Sequence, residues 1–184
     1  MSADLPADPE TDPETAPETA ARAICLRLLT DRARTRSELA GALHRRGVPD
    51  SVAERVLSRF SEVGLIDDAT FAEQWVRSRH SSRGLARRAL AAELHHKGVA
   101  REVAEEALAD VDAESERRKA RELIDRRLRT LAVGGPEDRA KAGRRLLGML
   151  ARKGYPAGVA TEVVRAALAE RGADEDELGP ADVG

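Results

Sequence analysis

Aromatic side chains are almost missing from this chain: Phe60, Phe71, Trp75 and Tyr155 are the only four in 184 residues. A core built on large rings is therefore excluded, and so is a row of stacking platforms of the kind that single-strand binders use. Cysteine is scarcer still. Cys25 stands alone, which rules out an intramolecular disulfide and a thiol cluster for zinc or redox work, and makes a reducing cytoplasm the expected setting. No apolar run approaches the roughly 18 residues of a membrane span. The N-terminus is acidic and proline-rich, not basic and then apolar, so a soluble, unexported protein is expected. Nothing alternates in the manner of a strand.

Recognisable catalytic motifs are missing as well. The chain has no glycine-rich phosphate loop, no His-Glu-x-x-His helix and no serine flanked by glycines. Asp67 and Asp68 are adjacent carboxylates, but they stand at a helix start, where capping explains them better than metal binding or acid-base work. His95 and His96 are sequential and diverge by about 100° on a helix, a poor chelating pair. His44 and His80 are isolated. The expectation is a protein that is not an enzyme, with no catalytic residue, no metal and no cofactor.

What the chain has in quantity is charge, at 35% of residues, with an apolar fraction drawn mostly from Ala, Leu and Val. Such a composition suits closely packed helices with small cores. The formal net charge of -2 is unevenly spread. Residues 1–20 carry six acids (Asp4, Asp8, Glu10, Asp12, Glu14, Glu18) and no base, and residues 171–184 carry five acids against Arg171, which leaves the body 21–170 at +8. A basic body with acidic ends suits a polyanion or an acidic protein groove, with tails able to restrain binding; it also suits mere solubility.

The strongest internal signal is repetition. Leu43-His44-Arg45-Arg46-Gly47-Val48 is echoed by Leu94-His95-His96-Lys97-Gly98-Val99 and by Leu150-Ala151-Arg152-Lys153-Gly154-Tyr155, at offsets of 51 and then 56 residues. Leu39, Leu90 and Leu146 keep those offsets, as do Val52, Val103 and Val159 and Ala53, Ala104 and Ala160. The pattern predicts an all-α chain of three three-helix repeats, with each glycine ending a second helix and each valine packing a third. The predicted limits are a disordered acidic tail over 1–17, repeats over 18–66, 67–114 and 115–172, and a second disordered tail over 173–184. In repeat one, Ala23, Leu26 and Leu29 with Ile24 start the first apolar stripe, and Thr35-Arg36-Ser37-Glu38 is a capping box. Pro49 opens the third helix, with Val52, Val56, Leu57 and Phe60 inward. In repeat three, Ala120, Leu123, Ile124, Leu128 and Leu131 form the first stripe. A break at Gly134-Gly135-Pro136 accounts for the longer offset, and the last helix should end near Gly172.

The stretch Gly64–Arg83 joins the first two units. Gly64 stops one helix, Asp67 or Asp68 caps the next, and Phe71 and Trp75 fall one turn apart on a single face to anchor the second core. Arg77, Arg79 and Arg83 then begin a basic surface. From Phe71 to Arg101 seven bases (Arg77, Arg79, Arg83, Arg87, Arg88, Lys97, Arg101) face two acids, Glu73 and Glu93; Glu73 and Arg77 are spaced as an i,i+4 pair. Repeat three adds Arg126, Arg127, Arg129, Lys141, Arg144, Arg145, Arg152 and Lys153. A pair-laced solvated surface is one account of this charge. Phosphate contact without base reading is the other. A helix-turn-helix reader fits poorly, because Glu54, Glu102, Glu105, Glu106 and Glu162 follow the turns between second and third helices.

Gly64-Leu65-Ile66-Asp67-Asp68, then Phe71-Ala72, Trp75-Val76-Arg77-Ser78-Arg79 and Leu90 to Gly98, resemble the RecX regulatory protein family, over about residues 21–170. The resemblance implies an elongated, curved array of three-helix repeats that inhibits the RecA recombinase. It further implies a seat in the groove of the RecA filament on single-stranded DNA, hindering filament growth, strand exchange and ATP hydrolysis. The expected partners are the RecA filament and single-stranded DNA, with duplex DNA reached through the same phosphate contacts; no membrane is involved, and the chain is expected to be a monomer. Candidate contact residues are Arg77, Arg79, Arg83, Arg87, Arg88, Lys97, Arg144, Arg145, Arg152 and Lys153. Gly47, Gly64, Asp67, Asp68, Phe71, Trp75, Gly98 and Gly154 form the structural framework. A general DNA-binding protein and a helical scaffold for another protein remain the two readings outside the family.

Overall fold

The computed structural model describes residues 16–177, with side chains described through residue 172. These residues form nine helices and no strand: α1 (Ala16–Asp31), α2 (Arg36–His44), α3 (Asp50–Glu62), α4 (Asp68–Arg83), α5 (Arg87–His96), α6 (Arg101–Ala107), α7 (Ala113–Leu128), α8 (Pro136–Arg152) and α9 (Ala157–Glu177). The all-α repeat of three-helix units expected from the sequence is present. Of the tails expected over 1–17 and 173–184, residues 1–15 and 178–184 lie outside the described residues. α1 begins at Ala16, inside the expected tail, and α9 runs through Gly172 to Glu177 instead of stopping at the glycine. Gly172 is buried, and a β-carbon there would overlap the Arg139 guanidinium, so this glycine serves side-chain packing and not helix termination.

The chain divides into two compact units, one comprising the residues through Phe71 together with Lys97–Val99, the other Ala72–His96 with Ala100 onward. In the first unit α1, α2 and α3 enclose Ala21, Cys25, Leu39, Leu43, Val52, Ala53, Val56, Leu57, Phe60 and Ile66. Each fully buried leucine here contributes roughly 2 kcal/mol by leaving water. The stripes foreseen for α2 and α3 are the ones buried. That of α1 is rotated: Ala21 and Cys25 are fully buried, Ile24, Leu28 and Leu29 pack at the edge, Ala23 is exposed and Leu26 is 46% exposed. Small side chains at Ala21 and Cys25, one turn apart, let α1 approach its neighbours closely. A periodicity count weighted toward large residues misses this.

Local signals set the helix ends. Thr35 Oγ1 accepts from the Glu38 N–H at 3.1 Å, and the Glu38 carboxylate accepts from the Thr35 N–H at 3.3 Å, completing the capping box. Pro49 is the cap residue of α3, just before its first turn. In the second unit the larger core gathers Ala86, Ala120, Ile124, Leu128, Val133, Ala142, Leu146, Leu150, Tyr155, Ala160, Val163, Val164 and Ala167. Leu90, Leu94 and Leu108 are buried in the same unit.

A specific polar junction occurs once in each unit. At the start of α2, the Arg36 N–H donates to Asp68 Oδ1 at 2.9 Å and the Thr35 hydroxyl to the Lys97 carbonyl at 2.7 Å. At the start of α5, the Arg87 N–H donates to Glu116 Oε1 at 2.8 Å and the Ala86 N–H to the Lys153 carbonyl at 2.9 Å. In both cases a carboxylate and a carbonyl satisfy donors that a helix start leaves free. The carbonyl comes from the residue before an αL glycine: Gly98 has φ +72° and Gly154 φ +89°. Both glycines also lie against the receiving helix. A β-carbon on Gly98 would overlap Ser37, and one on Gly154 would come within 2.7 Å of Ala89 Cβ and 2.8 Å of Ala89 N. Gly47, with φ +72°, has open space around it.

The junction also explains the unequal offsets. Asp68 and Glu116, Ala72 and Ala120, and Val76 and Ile124 are each 48 residues apart, whereas second helices keep the 56-residue offset. The residues so gained lengthen the Gly134-Gly135 connection and extend α8 at its N-terminus. Ala142, which holds the place of Thr35 and Ala86, is consequently inside a helix and 2% exposed.

Candidate functional site

The stretch Gly64–Arg83 begins as foreseen. Gly64 has φ +73°, and the Leu65 N–H bonds back to the Phe60 carbonyl at 2.8 Å, closing α3 with a left-handed turn. The two aspartates divide the labour. Asp67 caps its own helix, accepting from the Thr70 N–H at 2.9 Å and the Thr70 hydroxyl at 2.7 Å, and these bonds hold its carboxyl below the usual range. Asp68 reaches instead to the start of α2, and burial pushes its carboxyl up despite the Arg36 N–H. Adjacent carboxylates thus cap two different helices. Among the described residues no cluster of His, Cys, Asp and Glu is placed to hold a metal ion.

Phe71 and Trp75 do not share a core. Phe71 is 7% exposed, with Lys97 Nζ 5.5 Å from its ring centroid; Lys97 also bridges to Glu38 at 2.9 Å. Burial alone would raise the Glu38 carboxyl, but hydrogen bonds from Arg32 and Lys97 bring it down to about 2. Trp75 is half-buried: its indole N–H donates to Glu93 Oε2 at 2.7 Å, and the Arg79 guanidinium stacks on its face at 4.1 Å while pairing with Glu93 at 3.5 Å. The indole is an edge residue gripped by an ion pair, not an apolar anchor of the second core. An i,i+4 spacing reveals a shared face but not how deeply that face is sunk.

The ten basic candidates separate into two groups. Arg79, Arg87, Lys97 and Lys153 hold structure. The Arg87 guanidinium donates to the Leu108 carbonyl, and Lys153 Nζ donates to the Arg83 carbonyl. Burial and the neighbouring Arg83 push the Lys153 ammonium pKa down. Arg77, Arg83, Arg88, Arg144, Arg145 and Arg152 are exposed and form no ion pair among the described residues. The expected Glu73–Arg77 pair is not formed. Arg77 lines a cleft between α4 and α6 beside Glu73, Glu106 and Asp110, acidic surroundings that disfavour a phosphate. Of the other five, three flank the junction of α5 and α8: Arg83 offers its carbonyl to Lys153, Arg88 precedes the Ala89 that abuts Gly154, and Arg152 precedes Lys153. Arg145 and Arg152 are two turns apart on one face of α8, with Arg144 beside them. Tertiary packing therefore gathers arginines of the second and third repeats that are some 60 residues apart in sequence.

Several partners of these residues were not legible in the sequence. Glu116, 7% exposed, and Glu93 carry polar contacts of the second unit, as Glu38 does in the first. Only Glu38 had a local signal, its capping-box spacing. Tyr155 is buried and donates to the Gly84 carbonyl at 3.1 Å, and burial pushes its phenol up.

Comparison with known proteins agrees with this architecture. Residues 21–60 match the family description "RecX, first three-helix domain" and residues 67–108 match "RecX, second three-helix domain". The chain is 57% identical over 159 residues to the regulatory protein RecX of Streptomyces lividans, an alignment spanning 86% of this chain and 83% of that one. It is 51% identical over 168 residues to the protein of the same name from Mycolicibacterium smegmatis, spanning 91% and 89%. The crystal structure of RecX from Lactobacillus salivarius superposes with a TM-score of 0.67 at 19% identity, over 82% of this chain and 96% of that one, a likeness of fold. No helix among the described residues is long and apolar enough to cross a membrane.

Proposed function

The chain belongs to the RecX family of regulatory proteins, and we propose that it is a negative regulator of the RecA recombinase in the cytoplasm. It lies as a monomer in the groove of the filament that RecA forms on single-stranded DNA, and there it hinders filament growth, strand exchange and ATP hydrolysis. The observation that carries this reading is the group Arg83, Arg88, Arg144, Arg145 and Arg152, exposed and in no ion pair among the described residues, with Arg83, Arg88 and Arg152 flanking one junction of the second unit and Arg144 and Arg145 on the same α8 as Arg152. Charge not spent on internal pairs is available to phosphates or to acidic protein surface, and phosphate neutralisation releases counterions. Arg79, Arg87 and Lys153 serve the same surface by holding the helices that present it. A repeat chain offers many weak contacts that add through effective concentration.

The test is co-sedimentation with RecA filaments on single-stranded DNA, with bare DNA and free RecA as controls, alongside strand-exchange inhibition. Reversing Arg83, Arg88, Arg144, Arg145 and Arg152 to Glu should abolish both while leaving helical circular dichroism intact. Full inhibition by that variant sinks the proposal. Equal binding to bare DNA selects a general phosphate binder, and binding to neither selects a scaffold for another protein.

A further inference from the structure

We infer that the turn closing α2, His44–Val48, is an open docking surface for the N-terminal turn of a helix on a different protein. That helix carries a hydroxyl at its cap and a carboxylate three residues on. The chain contains this turn three times, and two copies show that it receives a helix start, the first of them with a hydroxyl and a carboxylate. Lys97-Gly98 receives the start of α2, where the Thr35 hydroxyl donates to the Lys97 carbonyl at 2.7 Å and Lys97 Nζ pairs with Glu38 at 2.9 Å. Lys153-Gly154 receives the start of α5, where the Ala86 N–H donates to the Lys153 carbonyl at 2.9 Å. The third copy is Arg46-Gly47. Its glycine has the same left-handed conformation, φ +72°, and nothing within 4 Å of where a β-carbon would stand. Among the described residues no donor reaches the Arg46 carbonyl, and His44, Arg45 and Arg46 are exposed.

The occupant follows from the filled copies and from charge. A helix start offers free N–H groups and a positive dipole end, which a turn ending in backbone carbonyls complements. In the filled first junction a basic side chain before the glycine takes the carboxylate at the third helical position. Arg46 stands at that place, its guanidinium at present turned back on the Ala42 carbonyl at 3.0 Å. A second copy of this chain cannot supply the occupant. The starts of α2 and α5 are already taken, the Glu18 carboxylate of the Thr15-Ala16-Pro17-Glu18 start of α1 is held by Arg55, and the equivalent of α2 and α5 in α8, Ala142, is buried within a helix that begins earlier, at Pro136. The open turn in repeat one is therefore left for another protein.

The probe is a side-chain-lactam helical peptide with the sequence of residues 35–44, Thr-Arg-Ser-Glu-Leu-Ala-Gly-Ala-Leu-His, titrated into the isotope-labelled full chain. Saturable amide shifts are expected at His44–Val48. They should weaken about tenfold with Arg46→Glu, persist with Arg46→Lys, and be lost with a peptide carrying Ala and Gln for its Thr and Glu. Arg46 is exposed, so circular dichroism of both variants should match the parent. No saturable shift at His44–Val48 with millimolar helical peptide, or shifts indifferent to both changes, overturns the inference. So does probe binding that appears only after residues 1–14 are removed, which would assign the turn to the chain's own acidic end.

Discussion

Three glycines share one conformation but not one environment, and alanine at each separates the two contributions. Gly47, Gly98 and Gly154 have φ of 72°, 72° and 89°. Placing an L-residue there costs about 1–2 kcal/mol from the β-carbon's approach to the backbone. At Gly47 nothing else is near, so Gly47→Ala should cost only that. At Gly98 the new carbon would overlap both Oγ and Cβ of Ser37, and rotating the serine hydroxyl relieves only the first. At Gly154 it would meet Ala89 Cβ at 2.7 Å and Ala89 N at 2.8 Å, where no rotamer helps because the obstacle includes backbone. Overpacking of this kind adds about 1–3 kcal/mol. Gly98→Ala and Gly154→Ala should therefore destabilise by about 2–5 kcal/mol, against about 1–2 for Gly47→Ala. Urea unfolding followed by circular dichroism gives the totals. Because the chain has two compact units, amide exchange should localise the loss: protection should fall around Leu39 for Gly98→Ala and around Leu90 for Gly154→Ala. Equal losses at all three positions would refute the claim that the second and third turns are packed against helix starts.

Acid should act on the first unit through Glu38. Its folded carboxyl titrates near 2 against 4.5 when unperturbed, so the stabilisation is fully present above pH 4.5 and is lost as pH falls toward 2. The side chain is half-buried and its partner Arg32 is exposed, so about 1 kcal/mol is expected after screening. Glu38→Gln should flatten that limb of the stability profile, and an unchanged limb would remove Glu38 from the account. The two aromatics of α4 should respond differently to truncation. Phe71→Ala should cost about 3–4 kcal/mol, being buried. Glu93→Ala should shift the emission of the sole tryptophan to longer wavelength with a loss of about 1–2 kcal/mol, since it frees a half-buried pair and one indole bond. A large stability loss without a spectral shift would contradict the placement of Trp75.

The amino-acid sequence by itself determined the helical class, the triple repeat, the capping box of α2, the turns at Gly47, Gly64, Gly98 and Gly154, and the inward faces of α2 and α3. Apart from the repeat, which shows as the same local signals recurring at offsets of 51 and 56 residues, each of these depends on residues within one or two helical turns of each other, through periodicity, a cap or a left-handed glycine. Tertiary structure decided the rest. Asp68 left its own helix to cap α2, 32 residues away, and Arg87 and Lys153 spent their hydrogen bonds on carbonyls 21 and 70 residues distant. Ala21 and Cys25 displaced Leu26 from the core because the closeness of the neighbouring helices, which no local pattern encodes, favoured small side chains there. The same holds for the basic surface. Composition and spacing show that the arginines are abundant; only packing decides which of them are consumed in holding the fold and which are left to face a partner.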